Sequence, residues 1–220
     1  CYTYSFNYDR DKESHLMKNS EWGAVAYLTH SQYGRNGNEI YANNEYNLTG
    51  NSSGNTNPSA SSDNYAYNTP EGQKASSTGN MYGIYDLSGG CYEYVAAFDT
   101  ASTSSNLDYG DSFASTGGPS TPYATAYTNG TTTSNGSKIY EVGKTGDATK
   151  EVYAAVQVSG SYRNWNEDYS HFVSSSYPFF KRGGDYYSSS TAGVFHSNRY
   201  GGSSDSYGGF RVVLSGSASV

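Results

Sequence analysis

The sequence predicts a loop-rich globular domain that combines helix and strand. Its 220 residues are enough for one large domain or two small ones with a sizeable core, and we assign 1–220 to a single domain. Mean hydropathy is low, at −0.74, but 16% of the residues are aromatic. Disordered chains are poor in aromatic residues, whereas tyrosine buries a large ring and keeps a hydroxyl group for hydrogen bonding. We therefore expect a folded chain.

The clearest helix is predicted between residues 19 and 32. Asn19 or Ser20 can cap its first turn, and Glu21 faces the positive end of the helix dipole. Apolar and small residues recur at the spacing of one buried helix face. These residues are Trp22, Val25, Ala26 and Thr29. Gly34 is a natural stop signal after the helix.

Long polar segments alternate with short apolar ones along the rest of the chain. Residues 43–79 and 99–137 are rich in Ser, Thr, Asn and Gly, and we interpret both as loop insertions. Residues 81–95 have apolar and aromatic side chains on both sides of a glycine pair, which predicts a turn followed by a buried strand. Residues 152–158 form a short apolar stretch that fits either helix or strand.

The charge argues against two classes of partner. Thirteen basic and twenty acidic residues give a formal net charge of −7. Phosphate contacts need clustered Lys and Arg, so we expect neither nucleic acid nor an anionic membrane as a partner. No segment approaches the roughly 20 apolar residues of a membrane span, and we expect no direct membrane insertion. Because residue 1 is not Met, we expect it to be the start of a processed or excised ectodomain.

Two cysteines, Cys1 and Cys91, leave three interpretations open. They can form a disulfide if the protein is exported. In the second interpretation, Cys91 is a small buried residue and Cys1 is incidental. In the third, Cys1 is the lipidated first residue of a bacterial lipoprotein. The sequence has no CxxC motif or Cys/His cluster, so we predict no zinc site of the usual spacing.

Three anchors in the sequence resemble one family. Residues 82–95 read YGIYDLSGGCYEYV and resemble the GLYDMSGNVWEWV box of the formylglycine-generating-enzyme-like (sulfatase-modifying factor) family. Residues 182–184 (RGG) and 209–214 (GFRVVL) resemble the RGGSW and GFR elements of its C-terminal end. The segment 19–29 lies where the family often has an aromatic-containing helix. The resemblance implies a loop-rich α+β fold of the C-type-lectin-like class, with short antiparallel sheets and two helices.

Within this family the chain looks most like the variable proteins of diversity-generating retroelements. That resemblance implies a hypervariable C-terminal segment, here about 182–211, in which a reverse transcriptase rewrites template adenines. Randomised AAY codons cannot give Lys, Glu, Gln, Met or Trp. Residues 185–208 contain none of these five types, although they make up 23 of the 220 residues of the chain. The resemblance also implies an extracellular protein, displayed on a cell surface or a virion tail.

The composition of the C-terminal segment independently favours recognition. From residue 183 to residue 209, 19 of 27 residues are Tyr, Ser, Gly or Asn, the types that dominate antibody paratopes. The candidate ligand-binding residues are Asp185, Tyr187, Ser188, Thr191, His196, Asn198, Arg199, Tyr200, Ser203, Asp205, Ser206 and Tyr207. Apolar residues bracket the segment, and we expect them to be framework. These are Val194, Phe195, Phe210, Val212 and Leu214. The expected partner is a protein or glycan on another cell or a host surface.

Enzymatic activity is a competing interpretation, and the sequence argues against it. Formylglycine-generating enzymes act through a reactive cysteine pair in the C-terminal part of the chain, whereas residues 92–220 contain no Cys. Related non-heme iron enzymes need clustered histidines. The four histidines are spread along the sequence, and we expect each to be a surface or structural residue. They are His15, His30, His171 and His196.

Two non-enzymatic functions also compete with variable display: a fixed-specificity calcium-dependent lectin and a structural surface or pilus subunit. The EPN and QPD tripeptides of calcium lectins do not occur in the sequence. Residues 165–168 (WNED) superficially resemble the lectin WND element, and Glu167 and Asp168 can in principle hold calcium. A solvated loop is the favoured interpretation, so we predict no cofactor and leave a structural calcium open.

Glu93 lies between aromatic residues in an apolar segment. A lone buried carboxylate is costly and usually pairs with a buried arginine. We therefore predict a structural role for Glu93 in an ion pair with Arg182 or Arg211, and we expect Asp86 to fix its own turn.

Overall fold

A small mixed sheet with two helices beside it organises the part of the chain that the structure describes. The structure, a computed structural model, describes residues 1–45, 47–51, 63–101, 121–128, 139, 141–153 and 163–216. Within these ranges the α-helices are α1 (Tyr2–Tyr8) and α2 (Asn19–His30). The strands are β1 (His15–Leu16), β2 (Asn47–Asn51), β3 (Asp63–Ala66), β4 (Tyr92–Asp99), β5 (Thr125–Tyr127), β6 (Phe179–Gly183), β7 (Gly193–Tyr200), β8 (Gly208–Phe210) and β9 (Val212–Val213). This is an α+β structure, as predicted.

Strand β4 is the centre of the largest sheet, whose order is β5–β4–β6–β7. It runs antiparallel to β6 and parallel to both β5 and β8, which pair with different parts of the same edge of β4. Strands β6 and β7 are antiparallel, and so are β1 and β9, which bring the two ends of the described chain together. The expected antiparallel sheets are therefore only part of a mixed arrangement.

Helix α2 is anchored to the sheet by its predicted buried face. Trp22 is 1% exposed, and its indole N–H donates to the carbonyl oxygen of Val194 at 2.7 Å. The predicted cap at Asn19 or Ser20 is wrong by a residue. Lys18 is the cap residue, and its backbone N–H donates to Glu21 Oε2 at 2.8 Å. The Glu21 carboxylate in the first turn accepts this N-terminal hydrogen bond because no Ser, Asp or Asn occupies the cap position.

Two apolar clusters form the core. The larger one joins α2 to one face of β4, β6 and β7, with Trp22, Val95, Phe180, Val194 and Phe195 at its centre. The smaller one lies on the other side of the sheet, where it contains Leu16, Ala96, Phe98, Ala124 and Phe179. Both faces of the central strands are therefore buried at that end of the sheet.

Several sequence predictions need correction. The segment 43–79 contains the parallel pair β2–β3 and a 3-10 helix (Gly72–Ala75) rather than irregular loop alone, because backbone pairing does not require apolar side chains. In 99–137, the described residues include β5 and a 3-10 turn (Thr121–Tyr123); most of the remaining segment lies outside the described residues. Of 152–158, the structure describes Val152 and Tyr153, which are buried in a turn and an isolated bridge.

The cysteines and two framework residues also differ from expectation. Cys1 and Cys91 are both exposed with free thiols, so Cys91 is not the buried residue of one interpretation. Val194 and Phe195 are buried, but Phe210 is 41% and Leu214 is 43% exposed. Phe210 belongs to the short strand β8, and Leu214 follows β9 at the end of the paired chain, where neither is covered by another layer. Among the described residues, no helix is long and apolar enough to cross a membrane.

A substitution at Gly23 tests how closely helix α2 packs against its neighbours. Replacing glycine inside a helix by alanine usually stabilises the helix by about 0.5–1 kcal/mol. A Cβ at Gly23 would lie 2.0 Å from the carbonyl oxygen of Gly146, so we expect Gly23→Ala to lower the free energy of unfolding by about 1–3 kcal/mol instead. Urea unfolding of this variant and of Ser20→Ala, at an exposed position of the same helix, measures the difference. A stabilised Gly23→Ala variant would contradict this packing.

Candidate ligand-binding surface

Two loops meet at one end of the largest sheet. The loop of residues 184–192 follows β6, and the loop of residues 201–207 follows β7. The rings of Tyr187 and Tyr207 touch edge to face with their centroids 5.7 Å apart, and these side chains are 61% and 45% exposed. The loops therefore present one continuous aromatic surface. We call it the tyrosine surface, formed by Tyr92, Asp185, Tyr187, Ser188, Ser203, Asp205, Ser206 and Tyr207.

A buried lysine lies beneath this surface. The Nζ atom of Lys181 is 5.0 Å from the ring centroids of Tyr92 and Tyr94 and 3.7 Å from that of Tyr200. The three tyrosines and Lys181 share a sheet face because β4, β6 and β7 are in register there. An ammonium group close to aromatic rings is attracted by their negative faces. Three rings thus replace most of the water around this cation.

Asp205 completes the environment of the lysine. Its Oδ2 atom lies 2.7 Å from Lys181 Nζ, and the side chain of Lys181 is only 3% exposed. Burial raises the pKa of Asp205, but hydrogen bonds from Lys181 and from the backbone N–H of Tyr207 outweigh it and hold the pKa below the usual value. The ion pair fixes the 201–207 loop to the sheet.

Further hydrogen bonds hold both loops against β4. The hydroxyl of Tyr94 donates to the carbonyl oxygen of Ser203 at 2.9 Å, and the backbone N–H of Tyr92 donates to the carbonyl oxygen of Tyr207 at 2.7 Å. In the other loop, the backbone N–H of Tyr186 donates to the carbonyl oxygen of Gly90, two residues before β4, at 2.8 Å. Within that loop, Ser188 Oγ donates to Asp185 Oδ1 at 2.6 Å. The backbone of both loops is therefore ordered before any ligand arrives, which lowers the entropy cost of binding.

The structure brings together most of the predicted binding residues. Asp185, Tyr187, Ser188, Ser203, Asp205, Ser206 and Tyr207 belong to the tyrosine surface. Asn198 and Tyr200 are half-buried on the same sheet face, next to Lys181. Sequence reasoning missed Tyr92, Tyr94 and Lys181. The available signal was the alternation of two tyrosines around Glu93, which indicates a strand with one aromatic face.

Three of the predicted binding residues lie elsewhere. His196 is 1% exposed rather than displayed, because the rings of Tyr92 and Tyr169 cover it at 5.6 Å each. Arg199 points to the opposite face of β7, where its guanidinium donates to Ser174 Oγ at 2.9 Å. Thr191 lines a separate cleft together with Ser190 and Ala192. Composition identified the segment, but strand alternation decides which of its side chains reach the surface.

Glu93 pairs with Arg211 on the other side of β4. The two hydrogen bonds from the guanidinium to the carboxylate are 2.5 and 2.6 Å long, and Arg211 Nη2 also donates to the carbonyl oxygen of Tyr85 at 2.7 Å. Burial raises the pKa of Glu93 more than Arg211 lowers it. The pair connects the predicted turn, β4 and the C-terminal segment. It is therefore a structural element that holds the chain end in place.

Arg182 is not the partner of Glu93. It is fully buried, its Nη2 donates to the carbonyl oxygen of Ala148 at 3.1 Å, and burial lowers its pKa to about 10. Its backbone lies opposite Glu93 in the β4–β6 register, but its side chain lies near Trp22. Asp86 accepts a hydrogen bond from Asn43 Nδ2 at 3.0 Å, so it also ties together two segments instead of closing only its own turn.

The two residues considered for calcium differ strongly in exposure. The Glu167 side chain is 82% exposed, whereas Asp168 is 1% exposed and accepts a hydrogen bond from the backbone N–H of Phe195 at 2.9 Å. In the described ranges, no group of three or more His, Cys, Asp and Glu side chains is arranged to hold a metal ion. The prediction that the chain holds no cofactor, with a structural calcium left open, stays untested.

Removing the buried ammonium should weaken the fold. We expect Lys181→Met, which keeps the apolar stem, to lower the free energy of unfolding by about 1–3 kcal/mol, because it removes a charged hydrogen bond and leaves Asp205 without its cation. Lys12→Met removes an exposed ion pair with Asp9 and should cost less than about 1 kcal/mol. Chemical unfolding of both variants measures this contrast. Equal losses would contradict the role of the tyrosine rings.

Two imidazoles, the half-buried His171 and the buried His196, should make stability depend on pH. Burial lowers the pKa of His171 and His196 from 6.5 to about 4. Between pH 6.5 and pH 4 the unfolded chain therefore binds protons that the folded chain does not, and the free energy of unfolding falls as the pH falls. We expect His196→Gln to reduce this slope and NMR to show a neutral His196 ring at pH 5.

The pH dependence of the free energy of unfolding must be compared between the His196→Gln variant and the parent protein. The buried carboxyl groups of Glu93, Asp147 and Asp168 have raised pKa values and act in the opposite direction. Their effect cancels in the difference between the two slopes. A His196→Gln variant with an unchanged slope would show that this imidazole titrates normally.

Comparisons with known proteins complete the description of the site. Protein-family models, curated proteins and solved structures give no match to the chain. The function of the tyrosine surface is therefore inferred from its own geometry and chemistry.

Proposed function

We propose that the chain is a non-enzymatic ligand-binding protein whose tyrosine surface recognises a protein or glycan on another cell or a host surface. The observation that supports this proposal is that the 184–192 and 201–207 loops meet. Tyr187 and Tyr207 are exposed there, above Lys181 and the tyrosine rings that surround it. The exposed groups are aromatic rings and hydroxyls held on an ordered backbone. Such side chains supply large amphipathic contact areas at a low cost in conformational entropy.

The chemistry of this surface suits binding better than catalysis. Tyr187 and Tyr207 offer rings that can contact apolar or sugar surfaces, and the exposed Ser206 offers a hydroxyl that both donates and accepts hydrogen bonds. The charged groups beneath them, Lys181 and Asp205, neutralise each other at 2.7 Å. A surface of this kind can change its specificity through its side chains while the buried ion pair keeps the backbone in place.

The fold proposed for this scaffold is C-type-lectin-like, and the segment 182–211 is proposed to be the hypervariable region of a retroelement-diversified protein. Support comes from the sequence anchors, from the α2 helix beside a small sheet, and from the paired chain ends at β1 and β9. Display on a cell surface or virion tail belongs to the same proposal. The two exposed tyrosines of the tyrosine surface, Tyr187 and Tyr207, fall inside the proposed variable region, whereas α2 and β4 lie outside it.

Sequencing the 3′ end of the gene across a population of its source cells tests the proposal. We expect adenine-derived substitutions at the codons of exposed residues such as Tyr187, Ser206 and Tyr207. The buried Phe195 and His196 should stay constant, because changes there disturb the core. A segment as uniform as the rest of the gene would contradict diversification.

A folding control belongs with that measurement. The double variant Tyr187→Ala/Tyr207→Ala should lose no more than about 1 kcal/mol of stability, because both rings are largely exposed. Tyr33→Ala/Tyr82→Ala, at positions 79% and 86% exposed, is the matched control. A larger loss in the first variant alone would make the two tyrosines structural and would argue against a display role.

A further inference from the structure

A concave site lies outside the tyrosine surface and shares no residue with it. It is an open cleft of about 770 Å³ between the 39–47 segment, Tyr65, the 3-10 turn Trp165–Glu167 and the 3-10 turn Ser189–Thr191. Side chains with hydrogen-bonding or charged groups dominate its wall. They include Glu39, Tyr41, Asn44, Tyr65, Arg163 and Asn166.

The wall of the cleft contains unusual backbone conformations. Asn166, Glu167 and Ser189 have φ values of 62°, 66° and 50°, in the left-handed region that residues with a Cβ rarely adopt. Such conformations cost free energy and persist where the surrounding structure enforces them, often at functional sites. Here all three residues face one cleft.

The inner end of the cleft holds a buried carboxylate with an unused oxygen. A small adjoining pocket of about 10 Å³ shares Glu39, Ile40, Asn166 and Ala192 with the cleft and is also lined by Asp168. The backbone N–H of Phe195 donates to Asp168 Oδ2 at 2.9 Å. Oδ1 is left without a hydrogen-bond partner although Asp168 is 1% exposed.

This carboxylate is held firmly in place. The side chain of Asp168 packs directly on Gly193, where an added Cβ would lie 2.1 Å from the carboxylate oxygens. The position therefore requires glycine if the carboxylate is to keep its place. An unsatisfied buried acceptor needs an explanation, and a donor group supplied by a ligand is one that fits a pocket at this carboxylate.

The second carboxylate of the pocket, Glu39, also lacks a cation. Partial burial raises its pKa, and none of the charged groups in the described ranges forms an ion pair with it. Among the described residues that line the cleft, Arg163 is the one Lys or Arg, and its Nε atom lies 3.9 Å from Glu167 Oε2. His30 lines the small pocket beside Glu39 and Asp168. Two carboxyl groups line the inner end of the cleft, and burial raises the pKa of both, so a cation that enters would favour their charged forms.

The outer wall of the cleft has aromatic rings, which suit the alkyl chain that a positively charged group carries. The centroids of Tyr41 and Tyr65 lie 6.2 Å apart. Lys74 already places its Nζ atom 5.3 Å from the ring centroid of Tyr41, so this ring is used for cation contact within the protein itself. Aromatic faces also bind the methylene groups of a lysine-like chain.

We propose that this cleft binds a ligand through a primary ammonium group, which enters the small pocket and pairs with Asp168 and Glu39 while its alkyl chain lies along Tyr41 and Tyr65. A pocket of about 10 Å³ takes a group the size of one water molecule. An ammonium group has that size, whereas a planar guanidinium is larger. The ligand is a lysine side chain of a peptide or a free alkylamine.

An NMR titration tests this site directly. The ¹⁵N-labelled protein is titrated with Nα-acetyl-lysine amide, and with the norleucine amide that has the same chain without the ammonium. We expect shifts at the amides of Ile40, Asn166 and Ala192 with the lysine compound and weaker or no shifts there with the norleucine compound. Equal effects of both compounds, shifts confined to other regions, or no shifts at all would overturn the proposal.

Matched charge variants separate the pocket from the general negative charge of the protein. Glu39→Gln should weaken binding of the lysine compound by about two- to fivefold, as loss of an ion pair at an exposed carboxylate predicts. Asp11→Asn makes the same change of net charge at an exposed position outside the cleft and should leave binding unchanged. Equal effects of the two variants would overturn the proposal.

Two further compounds identify the source of the ammonium group. Tighter binding of a blocked Ser-Lys-Ser peptide than of cadaverine supports a peptide ligand, and the reverse order supports a free amine.

Nα-acetyl-arginine amide should bind less tightly than the lysine compound because of its larger head group. Preference for the arginine compound would overturn the assignment of a primary ammonium group.

Discussion

The ammonium group of Lys181 is the constraint on which the tyrosine surface depends. A buried cation is tolerated only where other groups replace its water, and here three tyrosine rings and Asp205 do so. This requirement fixes the rings on one sheet face and fixes the 201–207 loop through Asp205. The exposed loops are therefore positioned by an interaction that no ligand needs to touch.

Side chains alternate along β4, so the face of β4 toward the tyrosine surface and its opposite face make different interactions. Tyr92 and Tyr94 point to Lys181, whereas Glu93 between them points to Arg211 and so holds the C-terminal chain. The two ion pairs lie on opposite faces of one strand. Changes at Tyr187, Ser206 and Tyr207 leave both pairs intact, whereas Asp205 belongs to the tyrosine surface and must keep its carboxylate to hold the loop.

Local patterns were predictable, and long-range pairings were not. The buried face of α2 and the strand after the glycine turn follow from residue spacing. The display segment, assigned from composition, stays a prediction. The ring of tyrosines around Lys181 depends on the register of β4, β6 and β7, which join residues far apart in sequence. His196 was misplaced for the same reason, because only the strand register and the neighbouring rings show that it is covered.

One loop contributes to two surfaces because its backbone turns between them. Asp185, Tyr187 and Ser188 face the tyrosine surface, and the residues from Ser189 to Ala192 face the cleft. The left-handed conformation of Ser189 lies at this boundary and redirects the chain. The carboxylates of the cleft, Glu39 and Asp168, come from outside the proposed variable segment. Diversification of that segment would therefore alter one wall of the cleft and leave its charged inner end unchanged.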